Sequence, residues 1–144
     1  MSTQETFFMI KPDGMEYRFE IGNDIGLAGL KIARFVIRTV TQEQIAQNYE
    51  EYLDRPFFPF TVSYLTSDRV GLGIVEGEDA VNVMRRLAGV TRPWEADPGP
   101  WRARFGVTRS QEEADRESGN IHNTVHTSDS PSSVAREKRI FLPD

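Results

Sequence analysis

An α+β fold is predicted by three features of this 144-residue sequence. Four short runs are rich in β-branched and aromatic residues, segments of helical spacing alternate with them, and the apolar content can fill one core. The length fits a single domain, residues 1–144, able to bury its apolar side chains without covalent staples. In order the elements read strand, helix, strand, helix, strand, helix, strand, helix. Their two similar strand–helix–strand halves specify a ferredoxin-like βαββαβ sandwich, a four-stranded antiparallel sheet with helices packed on it.

Residues 6–10 (TFFMI) form the first apolar run, closed by Lys11, Pro12, Asp13 and Gly14, whose turn chemistry ends a buried strand. The next stretch has weak helical character, interrupted by Gly22 and Gly26. Residues 31–40 (KIARFVIRTV) are β-branched and read as the second strand. Thr41 and Gln44 have capping-box spacing, and Ile45, Tyr49, Tyr52 and Leu53 share a stripe, which predicts an amphipathic helix over 41–53. Pro56 and Pro59 then break the pattern across 55–60.

Residues 69–76 (RVGLGIVE) supply a third strand. Asp79 opens and Gly89 closes a helix with the stripe Ala80, Val81, Met84, Leu87 and Ala88. Arg85 lies at the stripe's edge and Arg86 points away. Residues 90–105 are rich in Pro and Gly and predict a long surface loop. From Arg109 to Gly119 the chain is polar with no apolar face, which marks a charged, solvated insertion around 106–122. A short β-like run, Thr124, Val125 and His126, precedes Ser130 and Pro131, which cap the last helix. Val134, Glu137, Lys138 and Phe141 recur there at helical spacing, which turns Glu137 inward.

Composition removes several classes of chemistry. With no cysteine there is no disulfide framework, thiolate metal site or Cys nucleophile. The only histidines are His122 and His126, too few for a His-rich metal cage. Lys and Arg total 17 against 22 Asp and Glu, a net charge of −5 that argues against a specific nucleic-acid binder. No apolar run approaches the roughly 18–20 residues that span a bilayer. The start, MSTQET, lacks the charged and apolar regions of a secretory signal, and the expected location is cytoplasmic.

His126 is the residue with chemistry to explain. It sits between a short strand and a capped helix and is followed by Thr127, Ser128, Asp129 and Ser130. Imidazole offers a nucleophile or acid–base group near neutral pH, and a Glu on the inward face of the next helix could fix its tautomer. A histidine hydrogen-bonded at a strand end is the structural alternative. Lys11, Arg85 and Arg102 are cations at element ends, suited to a polyphosphate if they converge and ordinary surface charges if they do not.

The stretch Asn123-Thr124-Val125-His126-Thr127-Ser128-Asp129-Ser130 closely resembles the active-site signature of the nucleoside diphosphate kinases, Asn-x-x-His-Gly-Ser-Asp-Ser. Residues 6–14 resemble that family's first strand and Lys-Pro-Asp turn. Tyr49 followed by Asp54, Arg55, Pro56, Phe57 and Phe58 resembles its Tyr and Arg-Pro-Phe-Phe element. Arg85, Gly89 and Thr91, then Pro98, Gly99, Arg102 and Phe105, follow its order, and Glu137 takes the place of its Glu in the final helix. The likeness runs from about Thr6 to Phe141.

The resemblance implies transfer of the γ-phosphate of a nucleoside triphosphate such as ATP to a nucleoside diphosphate, in a ping-pong cycle through a phosphohistidine at His126. It implies Glu137 and Ser128 orienting that ring, Tyr49 packed near it, and Arg85, Thr91 and Arg102 on the phosphates with Mg²⁺. Lys11 and Asn123 are implied at the ribose, Lys11 also near the transferred phosphate, and Phe57 stacked on the base. A homo-oligomer (dimer, tetramer or hexamer) is implied as well. The competing expectation is a non-catalytic relative that keeps the nucleotide pocket as a regulatory or scaffold module. Thr127 departs from the family's Gly, Pro100-Trp101 from its Thr-Ile, and Ala103 from the Gly after its Arg. The family's apolar clamp on the base falls near Asn120, and residues 106–122 run longer than its usual segment.

Overall fold

In the computed structural model, which describes residues 3–95 and 99–144, one four-stranded sheet has the spatial order β2-β3-β1-β4. The strands are β1 (Thr3–Ile10), β2 (Lys31–Arg38), β3 (Val70–Glu78) and β4 (Val125–Thr127). Every pairing is antiparallel, with Phe7 opposite Ile74, Met9 opposite His126, and Phe35 opposite Gly73. The expected sandwich is present, with β1 and β3 at its centre.

The alternation of side chains along β1 divides the core in two. Phe7 and Met9 point into a cluster with Ile45, Leu65, Leu72 and Phe141. Phe8 and Ile10 point the other way, among Ile21, Ile25, Met84, Trp101 and Val125. All four β1 residues are buried, and each side chain of this size contributes about 1.5–3 kcal/mol on leaving water. Gly73 makes room for this packing: a Cβ there would lie 2.3 Å from the Phe8 ring.

The first cluster is covered by α2 (Gln42–Asn48), α3 (Phe58–Leu65) and α7 (Pro131–Phe141). The second is covered by α1 (Arg18–Leu27), α4 (Ala80–Ala88) and α5 (Trp101–Phe105). The capping box at Thr41 forms as expected, and Ser130 accepts from the Ser133 amide with Pro131 in the first turn. Gly89 ends α4 at φ 86°, a backbone conformation open to glycine.

Three expectations need correction. The helix over 41–53 stops at Asn48; Tyr49 leaves helical geometry, and a 3-10 turn follows over Glu50–Tyr52. The proline-broken stretch conceals α3, because Pro59 lies in the helix's first turn, where its missing N–H is no loss. The loop over 90–105 contains a 3-10 turn, Pro93–Glu95, and then α5, whose Trp101 is buried rather than on the surface. Its residues 96–98 lie outside the described part.

Within the stretch from Arg109 to Gly119, α6 (Gln111–Asp115) is capped by Ser110, and Ala114 is buried. No helix among the described residues is long and apolar enough to cross a membrane.

Candidate active site

Strand periodicity places His126 on a particular face. Opposite Met9 in the ladder, it shares the side of the sheet that α7 covers, and its ring lies 6.3 Å from that of Phe7. Helical spacing on α7 turns Glu137 to the same side, between Val134 and Phe141. The two meet: His126 Nε2 lies 2.5 Å from Glu137 Oε2, and Ser128 Oγ donates to Glu137 Oε1 at 2.5 Å. Ser128 and Glu137 are buried, whereas the His126 side chain keeps 20% of its surface exposed.

Burial alone would raise the Glu137 carboxyl. The His126 ring, the Ser128 hydroxyl and the Asn48 amide outweigh burial and hold it below its usual value. The carboxylate is therefore ionised at neutral pH and accepts a proton donor from each side. Tyr49 caps the end of α2 with its ring 6.3 Å from His126, edge to face. Burial first, then the nearby Glu137 charge, pushes its phenol well above the ordinary range, so it stays neutral.

A second set of side chains gathers where β1 ends. Lys11 Nζ donates to Asn123 Oδ1 at 2.8 Å, and Asn123 Nδ2 donates to the Thr91 carbonyl at 2.8 Å. The buried Asn123 thereby ties the exit of β1 to the loop after α4. Gly14 permits the same crossing. The Lys11 amide bonds the Thr124 carbonyl, and a Cβ on Gly14 would lie 2.6 Å from that oxygen. Thr124 has φ 81°, a strained value for a β-branched residue. The Lys11 ammonium is pushed down to about 7 by burial and by Arg102, with Asp13 opposing.

Arg102 reaches from α5 to the Val125 carbonyl (3.0 Å from Nη2, 3.2 Å from Nε) and to the Gly89 carbonyl (2.8 Å from Nη1). Burial lowers its guanidinium to about 10, with Tyr49 opposing and Arg85 adding to the shift, so it remains charged at neutral pH.

Two hollows open on this region and meet at Thr91. One, about 230 Å³, is mainly aromatic and apolar and includes Phe57, Tyr49, Tyr52 and Tyr64, with Lys11, Asn123, Asn120, Thr61 and Thr91 among its polar members. The other, about 580 Å³, is basic and lined by Arg85, Arg86, Arg102 and Thr127. Phe57 is half-buried at the start of α3, and Arg85 is exposed on α4. The residues for which the resemblance implied a catalytic or nucleotide-binding role thus fall in the hydrogen-bonded trio or on one of the two hollows. Thr127, where the resemblance expects Gly, is an extended β4 residue paired with Phe8, a backbone that accepts a Cβ.

Sequence reasoning missed several members. Asn48 is buried beside Glu137, with its Oδ1 unpartnered. Tyr64 donates its hydroxyl to Asp13 of the Lys-Pro-Asp turn and stacks on His122, ring centroids 3.9 Å apart. His122, expected to be solvated, is half-buried and meets Glu117 at 2.9 Å. The signal for Tyr64 was its helical spacing from Thr61 on α3, an element hidden by its prolines.

Comparison with known proteins places this geometry. The family model described as nucleoside diphosphate kinase matches residues 4–144. A nucleoside diphosphate kinase of Streptococcus agalactiae serotype V is 39% identical over 141 residues, covering 96% of this chain and 98% of that protein. One from Archaeoglobus fulgidus is 38% identical over 144 residues, covering 98% and 87% respectively. The solved structure of a halophilic nucleoside diphosphate kinase from Halobacterium salinarum in complex with CDP superposes with a TM-score of 0.86 at 31% identity. That match covers 99% of this chain and 90% of the other. With the family model matched from the first strand to the last residue, and relatives aligned over nearly their whole length, this chain belongs to the nucleoside diphosphate kinases.

Proposed function

We propose that the enzyme works by a ping-pong cycle in which His126 carries the phosphoryl group. The carrying observation is the chain Ser128–Glu137–His126. The ionised carboxylate accepts a hydrogen bond from Nε2–H, which fixes the tautomer and leaves the lone pair on Nδ1. Nδ1 attacks the γ-phosphorus of a nucleoside triphosphate such as ATP. The N–P bond forms as the bond to the β,γ-bridging oxygen breaks, and the electron pair departs with the nucleoside diphosphate. A second diphosphate then attacks the phosphohistidine through its terminal phosphate oxygen, and the imidazole is returned unchanged. Glu137 steadies the ring as positive charge develops on it, and Tyr49 packs against its side.

The two hollows divide a nucleotide by chemistry. Arg85, Arg102 and Thr91 suit the phosphates, Lys11 and Asn123 the ribose and the nearest phosphate, and Phe57 offers a face on which any base stacks. Among the described residues no three His, Asp or Glu cluster to hold a metal ion. The basic hollow suits phosphates rather than a bare cation, so Mg²⁺ would enter with the nucleotide that Arg85 and Arg102 hold and would neutralise phosphate charge there. We assign the whole chain to one catalytic domain with residues 106–122 as its insertion, and to the cytoplasm, where nucleoside triphosphates are spent.

Self-association is supported by the free edge of β2. Ile32, Phe35 and Ile37 remain 36–42% exposed there, beside Phe19 at 74%. They border an apolar hollow of about 530 Å³ that a second copy can fill.

The direct test is incubation with γ-labelled ATP and Mg²⁺. Acid-labile, alkali-stable label is expected on the native protein and on His122→Ala, and none on His126→Ala. Label surviving in His126→Ala overturns the assignment.

A further inference from the structure

The hollow that contains Phe57 also contains a polar side chain that phosphoryl transfer leaves unused. Asn120 is only 6% exposed. Thr61 Oγ1 donates to its Oδ1 at 2.7 Å, and its Nδ2 donates to Glu117 Oε1 at 2.9 Å. Glu117 is held in turn, since the same oxygen lies 2.9 Å from His122 Nε2 and the His122 ring stacks on Tyr64. The carboxamide is therefore oriented from both ends, its nitrogen toward Glu117 and its oxygen toward Thr61. An amide has two donor hydrogens and two acceptor sites, and each end has used one. One donor and one acceptor remain side by side.

A neighbouring donor and acceptor is what the edge of a nucleobase presents, and the order of the two differs between bases. We propose that Asn120 is a specificity-determining residue that reads the base edge, so that the enzyme prefers diphosphates whose base offers the complementary order of acceptor and donor. The inference rests on reading this hollow as the nucleotide site. An apolar side chain here would only pack on the base and treat all bases alike. A fixed amide facing a mismatched base loses its water without gaining a partner, and such sites discriminate more strongly than shape alone.

The test measures kcat/KM for ADP, GDP, CDP, UDP and the diphosphate of unsubstituted purine riboside as acceptors from the phosphorylated enzyme. The native protein is expected to spread the four natural bases over about tenfold or more, and to lose its preference when the base lacks its substituents. In Asn120→Leu the spread should contract to about threefold or less. Thr61→Val, which releases the amide's oxygen end and removes only a hydroxyl, should narrow it as well. An unchanged spread in both variants overturns the inference, and so does an equal loss for every base, which would make Asn120 an anchor for residues 106–122 and nothing more. A native protein that phosphorylates no acceptor and takes no label from ATP overturns the site reading itself.

Discussion

Lys11 occupies two roles that pull its charge in opposite directions. In its proposed place beside a phosphate it is needed as a cation, yet burial and the nearby Arg102 hold its ammonium at about 7 against an ordinary 10.5. In the folded, empty enzyme it therefore sheds its proton as pH rises through 7, while the unfolded chain keeps that proton until near 10.5. The native state binds fewer protons in that window. Burying Lys11 accordingly destabilises the fold below pH 7, and the cost is relieved as pH rises. A bound polyphosphate restores the charge. Nucleotide binding should therefore take up little proton near pH ~6 and approach one proton above pH ~8. Calorimetry in buffers of different ionisation enthalpy measures this uptake, and Lys11→Met should abolish it.

The elements differ in how openly the sequence displays them. β1, α4 and α7 are legible because their apolar period and the residues that bound them agree with one another, although Asp79 opens α4 from a left-handed backbone without a side-chain cap. α3 was hidden because prolines ordinarily signal a break, and only their place in the first turn makes them compatible with helix. The end of α2 was misjudged because Tyr52 and Leu53 continue the spacing after the backbone has left it, and both remain exposed.

Gly14 shows how an element can depend on a missing side chain. The Lys-Pro-Asp turn crosses the Thr124 backbone so closely that Gly14→Ala must displace the turn, the strand end or both. Overpacking of this kind costs about 1–3 kcal/mol. The melting temperature of the variant should fall accordingly, and nucleotide affinity with it, because the same turn places Lys11 and Asn123.

At the scale of the whole molecule, alternating apolar runs and capped segments announced the sandwich, and strand order follows from antiparallel pairing of central β1 with β3 and β4. The active-site residues were legible chiefly through their resemblance to a family. Composition and periodicity could not reveal that Lys11, Arg102 and His126 converge, since convergence belongs to the fold. The network of Asn120, Glu117, His122 and Tyr64 was not legible, because polar residues without a period look solvated until a partner element is known. The proposed burial of Phe35 against a second copy leads to a further expectation. Phe35→Asp should shift the protein to a smaller species in size-exclusion chromatography with light scattering, while leaving residues of the two hollows untouched.

The central position of β1 also governs when the enzyme comes into being. Lys11 and Asn123 lie 112 positions apart, and the strand carrying His126 docks on the first strand of the chain. Closing so long a loop is an entropic cost that short-range helices do not share, so the site is completed late in folding. A ribosome-bound chain can form α1, α2 and the β1–β3 pairing while the segment bearing His126 is still in the exit tunnel. Catalytic competence therefore arrives all at once, when that segment docks on β1, and a protein truncated before β4 would be an inert sheet with an open edge where His126 belongs.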